Sequence, residues 1–352
     1  MSHDIFGTRI VAAPMAGGTS TPAFVAAVYD AGALGFLAAG YKSVDAMQAE
    51  IRSARAARAR FGMNVFVPDP AQLPPSAEVR AQLEDYRVRL QADALRYGVE
   101  VPPLRLDDDD HWQGKIDALL ADPVELVSFA FGLPGSDVVR ALQRSGSAVL
   151  ATITTVDEAL EAAGQGVDAL VVQHGSAGGH SAAFQPGTAG PDASPGAGHV
   201  DSQPGTTAEL LARVRAAVGL PLLAAGGVMD QAGLEEVLAA GAQAAQLGTA
   251  FLRTHESGAR QLHKDALASA HFTQTRLTRA FTGRPARALV NEFVRDHPDA
   301  PESYPAVHHL TAPLRAAAAA AGDAERLNLW AGTGWQRARA RSVAEVMAGL
   351  LG

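Results

Sequence analysis

Eight short apolar runs punctuate the chain, at Ile10–Ala13, Leu34–Ala38, Gly62–Val67, Leu126–Phe129, Ala148–Ile153, Ala169–Val172, Leu222–Ala225 and Ala244–Leu247. Each is too short for a helix and largely apolar on both faces, the pattern of a strand buried from two sides. Helical stretches lie between most of them. Pro22 suits a first helical position ahead of Ala23 to Asp30. Ala46 to Arg60, His111 to Leu120, Asp137 to Arg144, Val156 to Ala163, Thr207 to Val218 and Gln231 to Ala240 follow. Strands alternating with helices predict parallel βαβ units, and eight strands are the number that closes a (β/α)8 barrel. An open doubly wound sheet is the alternative, but the first turn reads Pro14-Met15-Ala16-Gly17-Gly18 rather than GxGxxG. The expected fold is α/β: a (β/α)8 TIM barrel over residues 1–253, with a rim insertion at 68–110 and a helical C-terminal segment at 254–352.

The insertion is where the beat breaks. It holds Pro68, Pro70, Pro74 and Pro75, a charged helical stretch from Glu78 to Tyr97, then Pro102-Pro103 and the run Asp107–Asp110. Contiguous aspartates more often form a solvated loop or helix start than a metal site, and that is the expectation here. Ser181 to Pro204 is rich in Gly, Pro, Ser and Ala, and is longer than a compact domain usually leaves without a role. It is read as a lid over the site. Further helices are expected at Ala312–Ala321 and Ser342–Leu351, packed on the barrel or across its mouth.

Composition narrows the chemistry. With no cysteine, the chain has no disulfide, thiolate metal site, iron–sulfur cluster or cysteine nucleophile. A net charge of -8 argues against a general nucleic-acid or anionic-membrane surface. No eighteen-residue apolar run occurs, and Met1-Ser2-His3-Asp4 has no basic and apolar leader pattern, so a soluble, cytoplasmic protein is expected. His174, His308 and His309 raise a metal reading, but without patterned carboxylates no metal site is expected.

The sixth apolar run stops abruptly at Gln173-His174-Gly175-Ser176-Ala177-Gly178-Gly179-His180. His180 therefore sits beyond the carboxyl end of a strand, where parallel α/β folds place their chemistry. The seventh and eighth runs also end in small residues, Gly226-Gly227-Val228 and Gln246-Leu247-Gly248-Thr249. Loops after strands seven and eight are the usual phosphate site of such a barrel. Backbone N–H groups of Gly226, Gly227, Gly248 and Thr249, aided by a helix N-terminus, would suit a phosphate. Tight strand–helix packing is the competing reason for these glycines. Asn64 and Gln173 are amides that either face a flavin's pyrimidine edge or cap a polar layer of the barrel.

In this order the motifs resemble class I nitronate monooxygenases, formerly called 2-nitropropane dioxygenases. The match runs through Ala13-Pro14-Met15-Ala16-Gly17-Gly18, Asn64-Val65-Phe66-Val67, Val127-Ser128-Phe129-Ala130-Phe131-Gly132 and Thr152-Ile153-Thr154-Thr155. It continues through Gln173 with Ala177-Gly178-Gly179-His180, Ala225-Gly226-Gly227 and Gln246-Leu247-Gly248-Thr249. Phe281-Thr282-Gly283-Arg284-Pro285-Ala286-Arg287 and Leu329-Trp330-Ala331-Gly332 complete it. The resemblance implies an FMN-dependent TIM-barrel enzyme that oxidises alkyl nitronates, such as propionate 3-nitronate, with O2 to a carbonyl compound and nitrite. It implies His180 as the catalytic histidine. Met15, Ala16, Gly17, Asn64, Gln173, Gly178, Gly179, Gly226, Gly227, Gln246, Leu247, Gly248 and Thr249 match its FMN-contacting positions. Tyr304 would wall the substrate pocket. The expected partners are a small nitronate and O2, with a homo-oligomer as an option. One departure stands out: Ser176 occupies a position where the family usually has glutamate. The rival readings are an FMN-dependent enoyl-acyl-carrier-protein reductase, which shares the Ala-Gly-Gly-His turn, and a non-catalytic phosphate-ligand barrel. The 284–287 and 330–332 stretches favour the nitronate side.

Overall fold

The computed structural model describes residues 4–69, 75–184 and 205–352. Eleven strands occur among them: β1 (Ile10–Ala12), β2 (Leu34–Ala38), β3 (Phe61–Phe66), β4 (Leu126–Ala130), β5 (Ala148–Ile153), β6 (Ala169–Gln173), β7 (Gly179–His180), β8 (Leu222–Ala225), β9 (Ala244–Leu247), β10 (Thr275–Thr278) and β11 (Ala286–Leu289). Eight form a closed barrel in the order β1-β2-β3-β4-β5-β6-β8-β9, every pairing parallel, and Ile10 opposite Ala245 closes the ring. These eight are the expected runs, and the expected helices fall between them. The fold is a (β/α)8 TIM barrel.

The strand period explains how the barrel both packs and opens. Val11, Leu34, Phe36, Leu126, Leu150, Ala169, Val171 and Leu223 form one apolar cluster with Phe6. Their neighbours Ile10, Leu37, Met63, Val127, Val149, Leu170 and Leu222 pack in another with the surrounding helices. Successive side chains point to opposite faces, so the first set fills the barrel and the second lies beneath the helices. Phe36 reaches across to β3, where a Cβ on Gly62 would lie 2.2 Å from its ring. Glycine is required there because the barrel centre is already full. Two residues further along the inner face the character changes to Asn64, Ser128, Thr152, Gln173 and Gln246. That polar layer is the floor of the site.

The insertion and the C-terminal segment pack on each other. Helices Ala77–Arg89 and Gln91–Tyr97 bury Leu83, Tyr86, Leu90 and Ala94 against Phe281, Phe293, Val307, Leu310 and Leu314, and helix Ala306–Ala320 supplies the last three. The Tyr86 hydroxyl donates to the carbonyl of Ala280 at 2.7 Å. As expected of a solvated loop or helix start, Asp107 and Asp109 are exposed and the run leads into helix Trp112–Ala121, but Asp108 and Asp110 find partners in the interior. Asp110 pairs with the fully buried Lys115 at 2.7 Å and accepts from the backbone N–H of Tyr41, while Asp108 pairs with His309 at 2.6 Å. A buried ammonium needs a partner, and that need draws Asp110 inward.

The C-terminal segment is helical at Ala306–Ala320 and Val343–Leu351 and also contains a hairpin. Strands β10 and β11 pair antiparallel and β7 adds to β11, with His180 opposite Ala286 and Gly179 opposite Arg287. Most of the lid expected at Ser181 to Pro204 lies outside the described residues; Ser181–Phe184 is described. Among the described residues, no helix is long and apolar enough to cross a membrane.

Candidate active site

A cavity of about 340 Å³ opens at the carboxyl ends of the barrel strands, within the size range of small-molecule sites. It brings together His180, Met15, Ala16, Gly17, Asn64, Gln173, Gly178, Gly179, Gly226, Gly227, Gln246, Leu247, Gly248 and Thr249. Tyr304 is set apart from that wall. It lines an adjoining small recess with Phe66, Phe131 and Arg284, its ring centroid 6.0 Å from that of His180. Among the described residues, the lining of the main cavity includes Arg260 and Arg315 and no carboxylate.

One region of the wall is backbone. Gly226 and Gly227 take φ of +111° and +75°, which disfavour any residue with a Cβ. A Cβ on Gly226 would lie 2.9 Å from Ser176 Oγ and 3.0 Å from the Ala177 nitrogen; one on Gly178 would lie 2.5 Å from the Gly332 nitrogen. The Gly332 N–H donates to Thr249 Oγ1 at 3.0 Å, so the C-terminal stretch completes this cradle. Ser176 Oγ lies 2.9 Å from His174 Nδ1 and 3.5 Å from Thr207 Oγ1. The helix N-termini beside these turns carry side-chain caps, Thr206 on helix Thr207–Ala217 among them. Asp230 already caps helix Gln231–Ala239, accepting from Gly233 at 3.0 Å, and the element after Gly248 is a three-residue 3-10 turn.

The amides have divided roles. Gln173 clamps the segment beyond β6: its Nε2 donates to the His180 carbonyl at 3.0 Å and its Oε1 accepts from Ala182 at 2.8 Å. Asn64 Nδ2 donates to Ser128 Oγ at 2.9 Å and to the Ser128 carbonyl. Gln246 makes no side-chain hydrogen bond among the described residues and faces the cavity. Gly17 and Gly179 line the cavity with positive φ, and open space lies where their Cβ would be.

The other region is side chain. His180 sits among Phe131, Tyr304 and Trp330, with ring centroids 5.7, 6.0 and 5.2 Å away. Its Nε2 is 2.9 Å from Thr282 Oγ1. Burial, reinforced by the positive charges of Arg284 and Arg315, lowers its pKa to about 3, so the ring is neutral at neutral pH. Arg284 lies with its guanidinium carbon 4.0 Å from the Phe131 centroid, and it donates to the carbonyls of Ser181 and Ala183. Arg315 donates to Thr311 Oγ1 at 3.2 Å, Asn328 Oδ1 at 3.4 Å and the His308 carbonyl at 3.2 Å. Burial lowers both guanidinium pKa values to about 10, so both stay charged. His308 stacks on Tyr41 at 4.1 Å, and burial lowers its pKa to about 2. Tyr41 and Phe131 carry φ of +67° and +78°. Backbone strain of this kind costs on the order of 1–3 kcal/mol per residue and collects at functional sites.

Thr282, Arg284 and Trp330 lie in the motifs that carry the resemblance, but the sequence gives none of them a role of its own. Tyr41, His308, Arg260 and Arg315 were not placed at the site. Nothing near Arg315 signals function: it lies in an alanine-rich helix and reaches the cavity only through the packing of the C-terminal segment.

Comparison with known proteins agrees along the whole chain. The family model described as "Nitronate monooxygenase" matches residues 1–352. A protein of Bacillus subtilis (strain 168) described as "Probable nitronate monooxygenase" is 34% identical over 329 residues, covering 92% of this chain and 89% of its own. A Staphylococcus saprophyticus protein with the same description is 35% identical over 92% of this chain and 88% of its own. Among solved structures, nitroalkane oxidase from Streptomyces ansochromogenes superposes with a TM-score of 0.90 at 47% identity, covering 99% of this chain and 96% of its own. FabK from Thermotoga maritima shares the fold, with a TM-score of 0.72 at 22% identity over 99% and 93% of the two chains.

Proposed function

The chain belongs to the nitronate monooxygenase family and is an oxidoreductase of nitronate oxidation; from that premise we propose that it is FMN-dependent and converts alkyl nitronates and O2 to a carbonyl compound and nitrite. The observation that carries the reading is the character of the cavity: a glycine cradle, an open amide, two arginines and a neutral histidine, with no carboxylate among the described residues. Such a wall suits two anions, a phosphate and a nitronate.

The residues present fit FMN. Gly226, Gly227, Gly178, Gly248 and Thr249 would hold its phosphate with little side-chain bulk in the way. Met15, Ala16 and Gly17 would lie against the ring, in the open space beside Gly17 and Gly179. Gln246, with Asn64, would serve its polar edge. When bound, FMN supplies the redox capacity that this chain's side chains lack. The protein's part is positioning and electrostatics. Arg315 and Arg284 make the site positive, which favours an anionic substrate over its neutral acid. Phe131, Trp330 and Tyr304 shield the reacting region from bulk water. His180 faces the substrate as the acid–base group.

Anaerobic mixing of the holoprotein with propionate 3-nitronate, and separately with NADH and NADPH, tests this. Loss of flavin absorbance at 450 nm with the nitronate, and none with either nicotinamide, is expected. Rapid bleaching by a nicotinamide and no change with the nitronate would replace the reading with an enoyl reductase. A protein that cannot be loaded with FMN would exclude both.

A further inference from the structure

The hydroxyl of Thr282 is 2% exposed as part of its residue and touches three polar groups: His180 Nε2 at 2.9 Å, the Arg284 carbonyl at 3.3 Å and the Arg284 N–H at 3.5 Å. It has one proton to give. If it gives that proton to His180, the Arg284 carbonyl is left without a hydrogen bond among the described residues. If it gives the proton to the carbonyl, all three contacts are satisfied, because the hydroxyl oxygen can then accept from both His180 Nε2–H and the Arg284 N–H. Buried carbonyls are rarely left unpaired, so the second arrangement prevails.

We propose that Thr282 is a positioning residue that holds neutral His180 in its Nε2–H tautomer, through a relay from Nε2–H to the Thr282 hydroxyl to the Arg284 carbonyl. Nδ1 then presents a lone pair. That nitrogen has no partner among the described residues, and it is absent from the polar atoms sealed off from solvent. As His180 lines the cavity, Nδ1 is the atom that faces the substrate. There it can take the proton of the substrate's neutral acid form, and the imidazolium so formed then donates to an oxygen of the resulting anion. A neutral imidazole fixed the other way would offer a donor at rest and have no acceptor to use.

The backbone gives the relay a fixed frame. His180 lies in β7, paired opposite Ala286 of β11, and Gln173 holds its carbonyl. Thr282 precedes β11 in a tight turn, its own N–H donating to Arg279 at 3.2 Å. Both partners are thus anchored by main chain, and only the hydroxyl decides the tautomer.

This inference rests on the reading of His180 as the acid–base group, but its test does not depend on turnover. Long-range proton–nitrogen correlation on the ¹⁵N-labelled holoprotein reports the tautomer of His180, its resonances identified by their loss in His180→Gln. Wild type should show the Nε2–H form. Thr282→Val should lose that single form and lower kcat/KM about tenfold or more with unchanged flavin content and melting temperature. Thr282→Ser should restore both the tautomer and the rate. An Nδ1–H form in wild type, or a Val variant that keeps both the Nε2–H form and the wild-type rate, overturns the proposal. If Thr282→Val does not fold, the wild-type tautomer and the Ser variant still decide it. The Nε2–H form in a protein inert toward every nitronate would instead fault the proposed function.

Discussion

Around Gly226, Gly178 and Gly332 the cavity wall is backbone; around His180 it is side chains, several of them charged or titratable. The backbone region comes from turns that directly follow β6, β8 and β9, joined by one late stretch at Gly332. The side-chain region draws Tyr41, Phe131, His180, Thr282, His308 and Arg315 from across the chain, with Tyr304 in the adjoining recess. One is a concavity that, on the proposed reading, would hold a phosphate without chemical demands on its side chains. The other is a low-dielectric pocket in which each charge sets its neighbours' protonation, as Arg284 and Arg315 do for His180. Binding and chemistry are therefore expected to fail separately.

The sharpest separation is His180→Ala. On the acid–base reading it should lower kcat/KM by about 10²–10⁴, while the ratio of flavin to protein, read from absorbance, stays at the wild-type value. A loss under threefold would remove the acid–base role. Next is Arg315→Met, which removes a charge facing the cavity. It should raise KM for an anionic nitronate about 10- to 100-fold, the range for losing one charge-assisted hydrogen bond. Steady-state kinetics with unchanged flavin content would place Arg315 on the substrate side of the comparison, and loss of flavin would move it to the other side.

Gly226→Ala probes the backbone region. The added methyl meets Ser176 Oγ and the Ala177 nitrogen at 2.9 and 3.0 Å in a left-handed conformation. FMN affinity, measured by fluorescence on reconstitution, should fall about tenfold, while turnover per bound flavin changes little. Equal loss in both would show that the two regions are one unit.

The smallest effect concerns acid stability. His180, His263 and His308 all have pKa values lowered by burial, to about 3, 4 and 2. The unfolded chain binds these protons near pH 6.5 and the native state does not. Their neutral burial therefore destabilises the fold progressively as pH falls below about 6.5, until each native-state group titrates. Replacing His263, whose Nε2 lies 3.0 Å from the Trp330 carbonyl, with Gln should flatten the fall in melting temperature between pH 6 and pH 4.5 relative to wild type. An unchanged slope would show that His263 is not neutral in the native state.

Much of this molecule was readable before any coordinates. The eight barrel strands follow from apolar runs of strand length, and the glycine turns from residues at their carboxyl ends. The hairpin of β10 and β11 was missed because Thr-Arg-Leu-Thr and Ala-Arg-Ala-Leu are short and lie in an alanine-rich segment that reads as helix. The aspartate run was read as a loop or helix start, which it is, but the pairing of Asp110 with Lys115 and of Asp108 with His309 could not be read because it is set by tertiary packing. For Asp108 and His309 the separation is 201 residues. Gln173 was read as facing a flavin or capping a polar layer of the barrel; it lines the cavity, and only the structure shows its amide holding the His180 segment in place.

What the sequence determined by itself is local: strand and helix periodicity, the turns that require glycine, and the order of motifs that marks the family. Tertiary structure alone decided which charges are buried together, and hence that His180 is neutral, that Arg284 and Arg315 both lie close enough to lower its pKa, and that Thr282 reaches His180. Periodicity and turn chemistry act over a few residues, whereas protonation and hydrogen-bond direction depend on every polar group within a few ångströms, whichever part of the chain supplies it.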